Sequence, residues 1–237
     1  MSDAEELLSN EIFTLFPLPV YKTNIGRKLT KQEKDEFDVI ISENLEDRHE
    51  TEFKKISTDK YLLNGTRKPL LAIQSFIEQH LKEFVTTVLG INVDNASCNI
   101  TQAWLNEYEP TASNPVHNHM NSIISGVFYI NCLELPNKTD GINFINTGHK
   151  MVQDIELPVT RSTSTIFSNI IKQKTTELHR ISVVAGDLIM FPSSTSHSVD
   201  VNETLDQTRI SLSFNTFMFG VLGEYDHTSE LILKQGK

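Results

Sequence analysis

The hydrophobic pattern changes its period at about residue 95, from a helical repeat to a strand repeat. Before this point, Lys31–Asp47 and Pro69–Leu89 are helix-like. In the second stretch the apolar residues follow i, i+3 and i+4 spacings, which is typical of an amphipathic helix. Thr30 is a plausible N-cap for the first helix, and Gly90 is placed to end the second. Ile12–Tyr21 contains two prolines and indicates a short edge strand or an extended arm.

After residue 95, apolar and polar residues alternate in short segments that are separated by turn residues, which predicts β-strands. The predicted strands are Cys98–Tyr108, Ile123–Leu133, Ile142–Ile145, Thr163–Phe167, Glu177–Val184, Asp187–Phe191 and Thr208–Phe219. Short strands that follow two helices predict a mainly β fold, either a sandwich or a barrel, with the helices packed outside. The tail Glu224–Lys237 is predicted as a short closing helix.

We expect residues 1–237 to form a single domain, because all-β domains of this length are common. Within it, residues 12–94 form an N-terminal arm and supporting helices. Residues 95–219 form the β core, and residues 220–237 form a C-terminal tail.

The charge and the hydrophobic content restrict the class of protein. The chain has 21 Lys+Arg and 31 Asp+Glu, a net charge of −10, and 38% of its residues are hydrophobic. This hydrophobic fraction is sufficient for a core and excludes a wholly disordered chain. Binding to a nucleic-acid backbone needs clustered Lys and Arg, so the charge argues against that activity. No apolar run reaches the roughly 18 residues of a membrane span, so we expect no membrane partner.

The cysteine content and the first residues bear on the cellular compartment. Cys98 and Cys132 are too few for a disulfide scaffold, which fits a reducing environment. The start of the chain, MSDAEELLSNEIF, lacks the basic-then-apolar layout of a secretory signal. We therefore expect a cytoplasmic protein with a small-molecule or protein substrate. The sequence leaves its oligomeric state open.

Three histidines form the candidate metal site. His117 and His119 are two residues apart, so in an extended backbone both imidazoles point to the same side. His197 lies at another loop-to-strand junction. Three imidazoles that converge from adjacent strands suffice for a metal site, and Fe, Zn, Cu and Ni all accept such ligands. The alternative is a set of solvated surface histidines.

The segment Thr208–Asn215 alternates strictly between polar and apolar residues. Arg209, Ser211, Ser213 and Asn215 share one side of the predicted strand. If this side faces the interior, Arg209 needs an anionic partner, because an unpaired buried guanidinium is costly. A carboxylate ligand would supply that partner through two parallel hydrogen bonds. The alternative is the exposed polar face of an edge strand.

These segments resemble the 2-oxoglutarate/Fe(II)-dependent oxygenases, the double-stranded β-helix enzymes that include the prolyl hydroxylases. The similar segments are Asn106–His119, in which Tyr108 precedes the His-x-His pair by nine residues, Ser125–Asn131, Gly186–His197 and Arg209–Ser211. More narrowly, Phe16–Tyr21, Ser125-Gly-Val and Arg209–Asn215 are similar to a branch of these oxygenases that is found in marine bacteria and their phages.

The resemblance implies a double-stranded β-helix (jelly-roll) core with the two N-terminal helices packed outside it. It implies an Fe(II)- and 2-oxoglutarate-dependent dioxygenase that uses O2, hydroxylates a substrate and releases succinate and CO2. By the resemblance, His117, His119 and His197 bind the metal and form the catalytic centre. The residues expected to bind 2-oxoglutarate are Arg209, Ser211, Tyr129, Asn131 and Tyr108. A phage-encoded enzyme would work in the host cytoplasm.

The sequence departs from the family pattern at two positions. His119 stands where the superfamily has an acidic ligand, so Fe(II) would keep both of its formal positive charges. A shifted register, His119-x-Asn121, ranks lower because Asn is a poor iron ligand. Phe128 stands where some relatives have a tyrosine hydroxyl near the cosubstrate. Tyr129 and Asn131 share the face opposite Phe128 and are the candidates to replace that hydroxyl.

Three other functions remain open at this stage. The first is a cupin-like dioxygenase that uses a three-histidine iron without 2-oxoglutarate. The second is a jelly-roll binding module without catalysis, and the third is a structural protein with solvated histidines. Imidazoles more than about 6 Å apart would favour the structural protein. The loops expected to shape a substrate pocket, Glu134–Gly141, Thr147–Pro158 and Ser168–Lys174, contain no interpretable motif.

Overall fold

Two antiparallel sheets and two helices make up the part of the chain that the computed structural model describes, namely residues 18–47, 54–133, 140–145, 178–223, 226 and 228–234. The helices are α1 (Lys31–Asn44) and α2 (Leu71–Glu83). The strands are β1 (Tyr21–Asn24), β2 (Leu45–Asp47), β3 (Lys54–Ser57), β4 (Ala96–Tyr108), β5 (Asn114–His117), β6 (Ile124–Tyr129), β7 (Gly141–Ile145), β8 (Leu178–Ser182), β9 (Asp187–Pro192), β10 (His197–Val199), β11 (Arg209–Leu222) and β12 (Leu231–Leu233).

Helix α1 begins with a capping box at the predicted N-cap. The Thr30 hydroxyl accepts from the Glu33 amide, and the Glu33 carboxylate accepts from the Thr30 amide. The helix ends at Asn44 rather than at the predicted Asp47. The reason is tertiary, because Leu45 is extended and begins β2, which pairs with β3.

The predicted helix Pro69–Leu89 forms three consecutive parts. A 3-10 turn over Lys68–Leu70 leads into α2, and a π-helical turn over Phe84–Val88 follows it. In this last turn the Leu89 amide donates to the Phe84 carbonyl, five residues earlier. Gly90 has φ +65°, the left-handed conformation expected of the residue that ends a helix.

The larger sheet has the strand order β1-β9-β6-β11-β4-β3-β2, with β12 also paired to β11, and the smaller sheet has the order β5-β10-β7-β8. The long strand β11 pairs with β4 on one side and β6 on the other. This pairing places Ser211 between Asn106 and Tyr129, and places Arg209 beside Tyr108. Side chains from three strands therefore meet in rows on one face of the sheet.

The helices cover the outer face of the larger sheet. Phe37 of α1 and Ile77 of α2 belong to the same buried cluster as Leu105, Phe128 and Phe214 of the sheet. The inner face of the larger sheet faces the smaller sheet across a second apolar cluster. The prediction of a mainly β fold with two N-terminal helices outside is confirmed. None of the described helices is both long and apolar enough to span a membrane.

Several sequence-based assignments differ from the structure. The short strands β2, β3 and β5 were not predicted, because they carry little alternation of their own and form by pairing with distant strands. The predicted tail helix is wrong, since Leu231–Leu233 pairs with Gly220–Leu222 as β12. The predicted strand Thr163–Phe167 lies outside the described residues.

Candidate functional site

A cavity of about 400 Å³ lies between the two sheets. The larger sheet contributes side chains from β3, β4, β6, β9 and β11, and the smaller sheet contributes side chains from β5, β7 and β10. All three candidate metal ligands and most of the candidate cosubstrate ligands line this space. Those residues are His117, His119, His197, Tyr108, Tyr129, Arg209 and Ser211.

The three histidines converge on one point of the cavity. His117 ends β5 and pairs directly with His197, which begins β10. His119 follows two residues later, and its amide donates to the Ser193 carbonyl at 2.9 Å, which fixes the backbone there. The possible ligand atoms of the three imidazoles all lie within 4.8 Å of one another. This spacing contradicts the solvated-histidine interpretation, which required more than about 6 Å.

The hydrogen bonds of the histidines determine which ring nitrogen can bind a metal. Nδ1 of His117 lies 2.8 Å from the Pro115 carbonyl, and Nδ1 of His197 lies 2.9 Å from the Thr195 carbonyl. A carbonyl oxygen only accepts, so each Nδ1 carries the proton and donates it. The Nε2 atoms of both rings therefore carry lone pairs that can bind a metal, and that of His117 lies 3.4 Å from the Asn114 amide nitrogen, a long contact that a metal would replace.

The spacing of His119 and His197 suits a shared ion. Their Nε2 atoms are 3.3 Å apart. Metal–nitrogen bonds of about 2.1 Å at adjacent coordination positions place two nitrogens roughly 3.0–3.4 Å apart. Among the described residues, these three histidines are the group of potential ligands close enough to share one ion.

Burial keeps two of the imidazoles neutral. Burial, together with smaller effects of the neighbouring His117 and Lys54, lowers the pKa of His119 to about 4 and the pKa of His197 to about 3. Neutral imidazole is the form that binds metals, so these two histidines are ready to bind at neutral pH without losing a proton.

Arg209 is buried and only partly paired. Its Nη1 donates to Oδ1 of Asp140 at 2.6 Å, and both side chains are 3% exposed. Its Nη2 is buried and has no hydrogen-bond partner among the described residues. A buried guanidinium donor without a partner is costly, and a ligand carboxylate would satisfy it. The residues present therefore fit a 2-oxo dicarboxylic acid, with one end toward the histidines and the far carboxylate at Arg209.

The remaining predicted cosubstrate residues occupy different positions. Tyr108 packs its ring 4.6 Å from the Arg209 guanidinium carbon, and Ser211 and Tyr129 stand side by side in the next row of the sheet. Burial raises the pKa of Tyr129 far above its ordinary value, so its hydroxyl stays protonated. Phe128, by contrast, faces the helices and packs against Phe76.

Asn131 and Asn121 do not line the cavity. The Asn131 side chain donates to the Thr208 carbonyl at 3.0 Å and accepts from the Ile210 amide at 2.5 Å. Asn131 therefore holds the backbone at the start of β11, the strand that carries Arg209. Asn121 has φ +54° in the turn before β6.

Polar side chains hold the cavity floor rigid. Asn106 donates to the Ser213 hydroxyl at 2.8 Å, and Ser125 donates to Asn215 at 2.8 Å. The Trp104 ring lies 6.0 Å from the His119 ring, between centroids. The alternation predicted for β11 is thus correct, because its polar side chains face the cavity and its apolar ones face the helices.

Two charged residues of the site were not predicted from the sequence. Asp140 lies in a loop segment without a recognisable motif, and Lys54 lies in the unpredicted strand β3. Both reach the site through contacts with residues more than fifty positions away, since Lys54 pairs with Tyr108 and Asp140 with Arg209. Local patterns carry no signal for such contacts.

Comparisons with known proteins agree with this geometry. Residues 102–215 match the family model described as "Putative 2OG-Fe(II) oxygenase". No curated protein sequence matches the chain. The matched segment runs from β4 into β11 and includes every site residue predicted from the sequence. Residues 102–215, which include these site residues, are therefore similar to the 2OG-Fe(II) oxygenases, and this similarity agrees with the predicted oxidoreductase class.

Solved structures confirm the jelly-roll fold. A prolyl-4-hydroxylase from Pseudomonas putida is 15% identical, with a TM-score of 0.51 over 84% of this chain and 92% of that one. HygX from Streptomyces hygroscopicus, solved with nickel, 2-oxoglutarate and hygromycin B bound, is 10% identical, with a TM-score of 0.52 over 84% and 82%. SnoK, a non-heme alpha-ketoglutarate-dependent carbocyclase from nogalamycin biosynthesis, is 12% identical, with a TM-score of 0.54 over 93% and 90%.

Proposed function

We propose that this protein is an Fe(II)- and 2-oxoglutarate-dependent dioxygenase. It couples oxidative decarboxylation of 2-oxoglutarate, with release of succinate and CO2, to the hydroxylation of a second substrate by O2. The observation that carries the proposal is the unpartnered, buried Nη2 of Arg209 in the same cavity as three converging imidazoles. The family match over residues 102–215 and the nickel and 2-oxoglutarate bound to HygX support it.

In this proposal, His117, His119 and His197 hold the iron through nitrogens within 4.8 Å of one another. The iron would supply a template for the 2-oxo acid and the electrons for O2 activation. The carbonyls of Pro115 and Thr195 hold the rings of His117 and His197 in the orientation that directs Nε2 into the cavity.

Arg209 binds and orients the cosubstrate. Its free Nη2 donates to the far carboxylate of 2-oxoglutarate, while Nη1 stays bonded to Asp140. Asp140 thereby fixes the guanidinium plane before the ligand arrives, which lowers the ordering cost of binding. Ser211 and the protonated hydroxyl of Tyr129 are the neighbouring donors on the same face of the sheet.

The walls of the cavity limit the access of water. Phe191 is fully buried and its ring lies 4.7 Å from the His197 ring, between centroids. Trp104 covers His119 from the opposite sheet. A dry site strengthens the electrostatic contacts of the cosubstrate and protects reactive species from side reactions.

An anaerobic titration tests the proposal. Apo-protein receives Fe(II) and then 2-oxoglutarate, and visible absorption is followed for the charge-transfer band of a chelated 2-oxo acid. We expect the band in the wild type, and its loss at the same cosubstrate concentration in Arg209→Met/Asp140→Asn, a double variant that leaves no unpaired carboxylate. Iron binding without the band in the wild type would instead identify a three-histidine dioxygenase that does not use 2-oxoglutarate. A protein that binds no iron would be a non-catalytic jelly roll.

A further inference from the structure

Lys54 is a buried cation in the same cavity. It begins β3, is 8% exposed and lines the cavity. Its Nζ lies 5.2 Å from the centre of the Tyr108 ring. Lys54 lies outside residues 102–215, the segment that matches the family, so it belongs to this chain's own N-terminal part.

The ammonium of Lys54 has no carboxylate partner. It forms neither an ion pair nor a hydrogen bond with any described residue, although the next residue, Lys55, pairs with Glu107 and Glu109 on the other face of the sheet. The ammonium is not fully buried and reaches the open space of the cavity, but partial burial of a charge without an anionic partner still costs free energy. The position is therefore expected to gain a partner when a ligand binds.

Whereas the whole chain carries a net negative charge, the described lining of the cavity carries positive charge. It includes Lys54, Lys60 and Arg209 but no Asp or Glu, while the chain carries a net charge of −10. The Lys60 ammonium donates to the Ser57 carbonyl, and Arg209 pairs with Asp140. Lys54 is therefore the lysine of this lining whose ammonium has no hydrogen-bond partner among the described residues, and the site as a whole favours anions.

Lys54 and Arg209 occupy separate positions. In the paired strands β3, β4 and β11, Tyr108 stands between them as the direct neighbour of both. Two strand spacings separate their backbones by roughly 9–10 Å. Lys54 and the three histidines line the same cavity.

We propose that Lys54 binds a carboxylate of the primary substrate, and that the substrate is therefore an organic acid. This inference rests on the proposed function, in which Arg209 takes the carboxylate of 2-oxoglutarate. One ammonium is then left in the cavity of the histidines for a second anionic group. Lys54 would select the substrate and hold its reacting carbon near the metal without taking part in the chemistry.

The first test measures the buried charge itself. Lys54→Met keeps the unbranched apolar stem of the side chain and removes the ammonium. We expect the Tm of the ligand-free protein to rise in this variant, because the unpaired charge is lost and the packing is kept. The control Lys55→Met loses a paired lysine on the other face and is expected to lower or not change the Tm. A fall in the Tm of Lys54→Met would overturn the proposal, since it would show that the ammonium is already paired.

The second test measures ligand selection on the protein loaded with Ni(II) and 2-oxoglutarate. The probes are acetate, hexanoate and benzoate, each compared with its primary amide, by calorimetric titration and thermal shift. We expect at least one carboxylate to bind tenfold or more tightly than its amide, about 1.4 kcal/mol. This preference should vanish in Lys54→Met and persist in Lys55→Met. Equal binding of acids and amides to the wild type would overturn the proposal.

The cosubstrate affinity separates this inference from the proposed function. Lys54→Met should bind 2-oxoglutarate within about threefold of the wild type, less than the tenfold that 1.4 kcal/mol represents. A tenfold loss would assign Lys54 to the cosubstrate and overturn the inference while leaving the proposed function intact. If 2-oxoglutarate fails to bind the wild type, the proposed function fails, and the acid–amide comparison on the Ni(II)-loaded protein still decides the role of Lys54 by the same criterion.

Discussion

Asp140 and Arg209 form a buried ion pair that uses only half of the guanidinium. Nη1 is bonded to the carboxylate at 2.6 Å, while Nη2 is buried without a partner in the part of the chain that the structure describes. The Asp140 carboxylate also accepts from the amides of Leu133 and Gly141, so its position is held by the backbone. The pair therefore presents one fixed, unsatisfied donor to the cavity.

Asp140→Asn should make the ligand-free protein less stable. It should also increase the rise in Tm that 2-oxoglutarate produces. Removing one partner of a buried ion pair costs about 3–5 kcal/mol, because the other charge stays buried. The ligand carboxylate would then be the only anion at Arg209, so binding would recover part of this loss. Thermal unfolding of the metal-loaded protein with and without 2-oxoglutarate checks both effects. A cosubstrate-induced rise in Tm no larger than in the wild type would contradict this role of Asp140.

Arg209→Lys should weaken 2-oxoglutarate binding but not abolish it. Lysine keeps the charge but loses the planar pair of donors, so it cannot bond to Asp140 and the ligand in the same geometry. A charge-assisted hydrogen bond contributes about 1.5–3 kcal/mol, which corresponds to a loss of roughly tenfold to a hundredfold in affinity. Titration followed by the charge-transfer band measures this loss. Unchanged affinity would remove Arg209 from the cosubstrate site.

His197→Ala should abolish stoichiometric metal binding. His197 is 3% exposed and its Nε2 lies 3.3 Å from that of His119, so its removal takes away the most buried of the three candidate ligands. His179→Ala is the matched control, because His179 lies on the exposed β8 strand outside the cavity. Metal content after Fe(II) or Ni(II) loading and gel filtration distinguishes the two variants. Full metal occupancy in His197→Ala would exclude it as a ligand.

The metal-free protein should lose stability as the pH falls. Burial lowers the pKa of His197 from 6.5 to about 3 and that of His119 from 6.5 to about 4. Between pH 6.5 and these values, the unfolded chain binds protons that the folded protein does not, so the free energy of unfolding falls with decreasing pH.

Thermal unfolding from pH 8 to pH 4 measures this decline. His197→Gln removes one of the two buried imidazoles and should show a shallower decline below pH 6.5 than the wild type. Parallel curves for the two proteins would show that His197 is not held in its neutral form by the fold.

Gly126→Ala should destabilise the protein. A Cβ at Gly126 of β6 would overlap the ring of Phe214 on the adjacent β11, and both residues are in the fully packed layer below the helices. Overpacking of this kind costs about 1–3 kcal/mol. Chemical denaturation measures the change, and Phe214→Leu in the same background should recover part of the stability. A neutral Gly126→Ala substitution would mean that the ring has room to move.

The sequence alone determined the features of this protein that follow from the local periodicity of its strands and helices. The alternation of β11 puts Arg209 and Ser211 on one face, and the His117-x-His119 spacing puts two imidazoles on one side, because successive residues of an extended chain point in opposite directions. The capping signal at Thr30 and the left-handed Gly90 are equally local. Such features depend on neighbours within a few residues, so the pattern of residue types predicts them.

Only the tertiary structure decided which distant residues complete the site. Asp140 meets Arg209 across 69 positions of sequence, and Lys54 enters the cavity because β3 pairs with the end of β4. The same pairing ended α1 early at Asn44, since β2 gains its partner from β3. Pairing between strands that are far apart in sequence is governed by packing and burial rather than by local propensity. Whether a distant charged residue reaches the site therefore depends on how the strands pair.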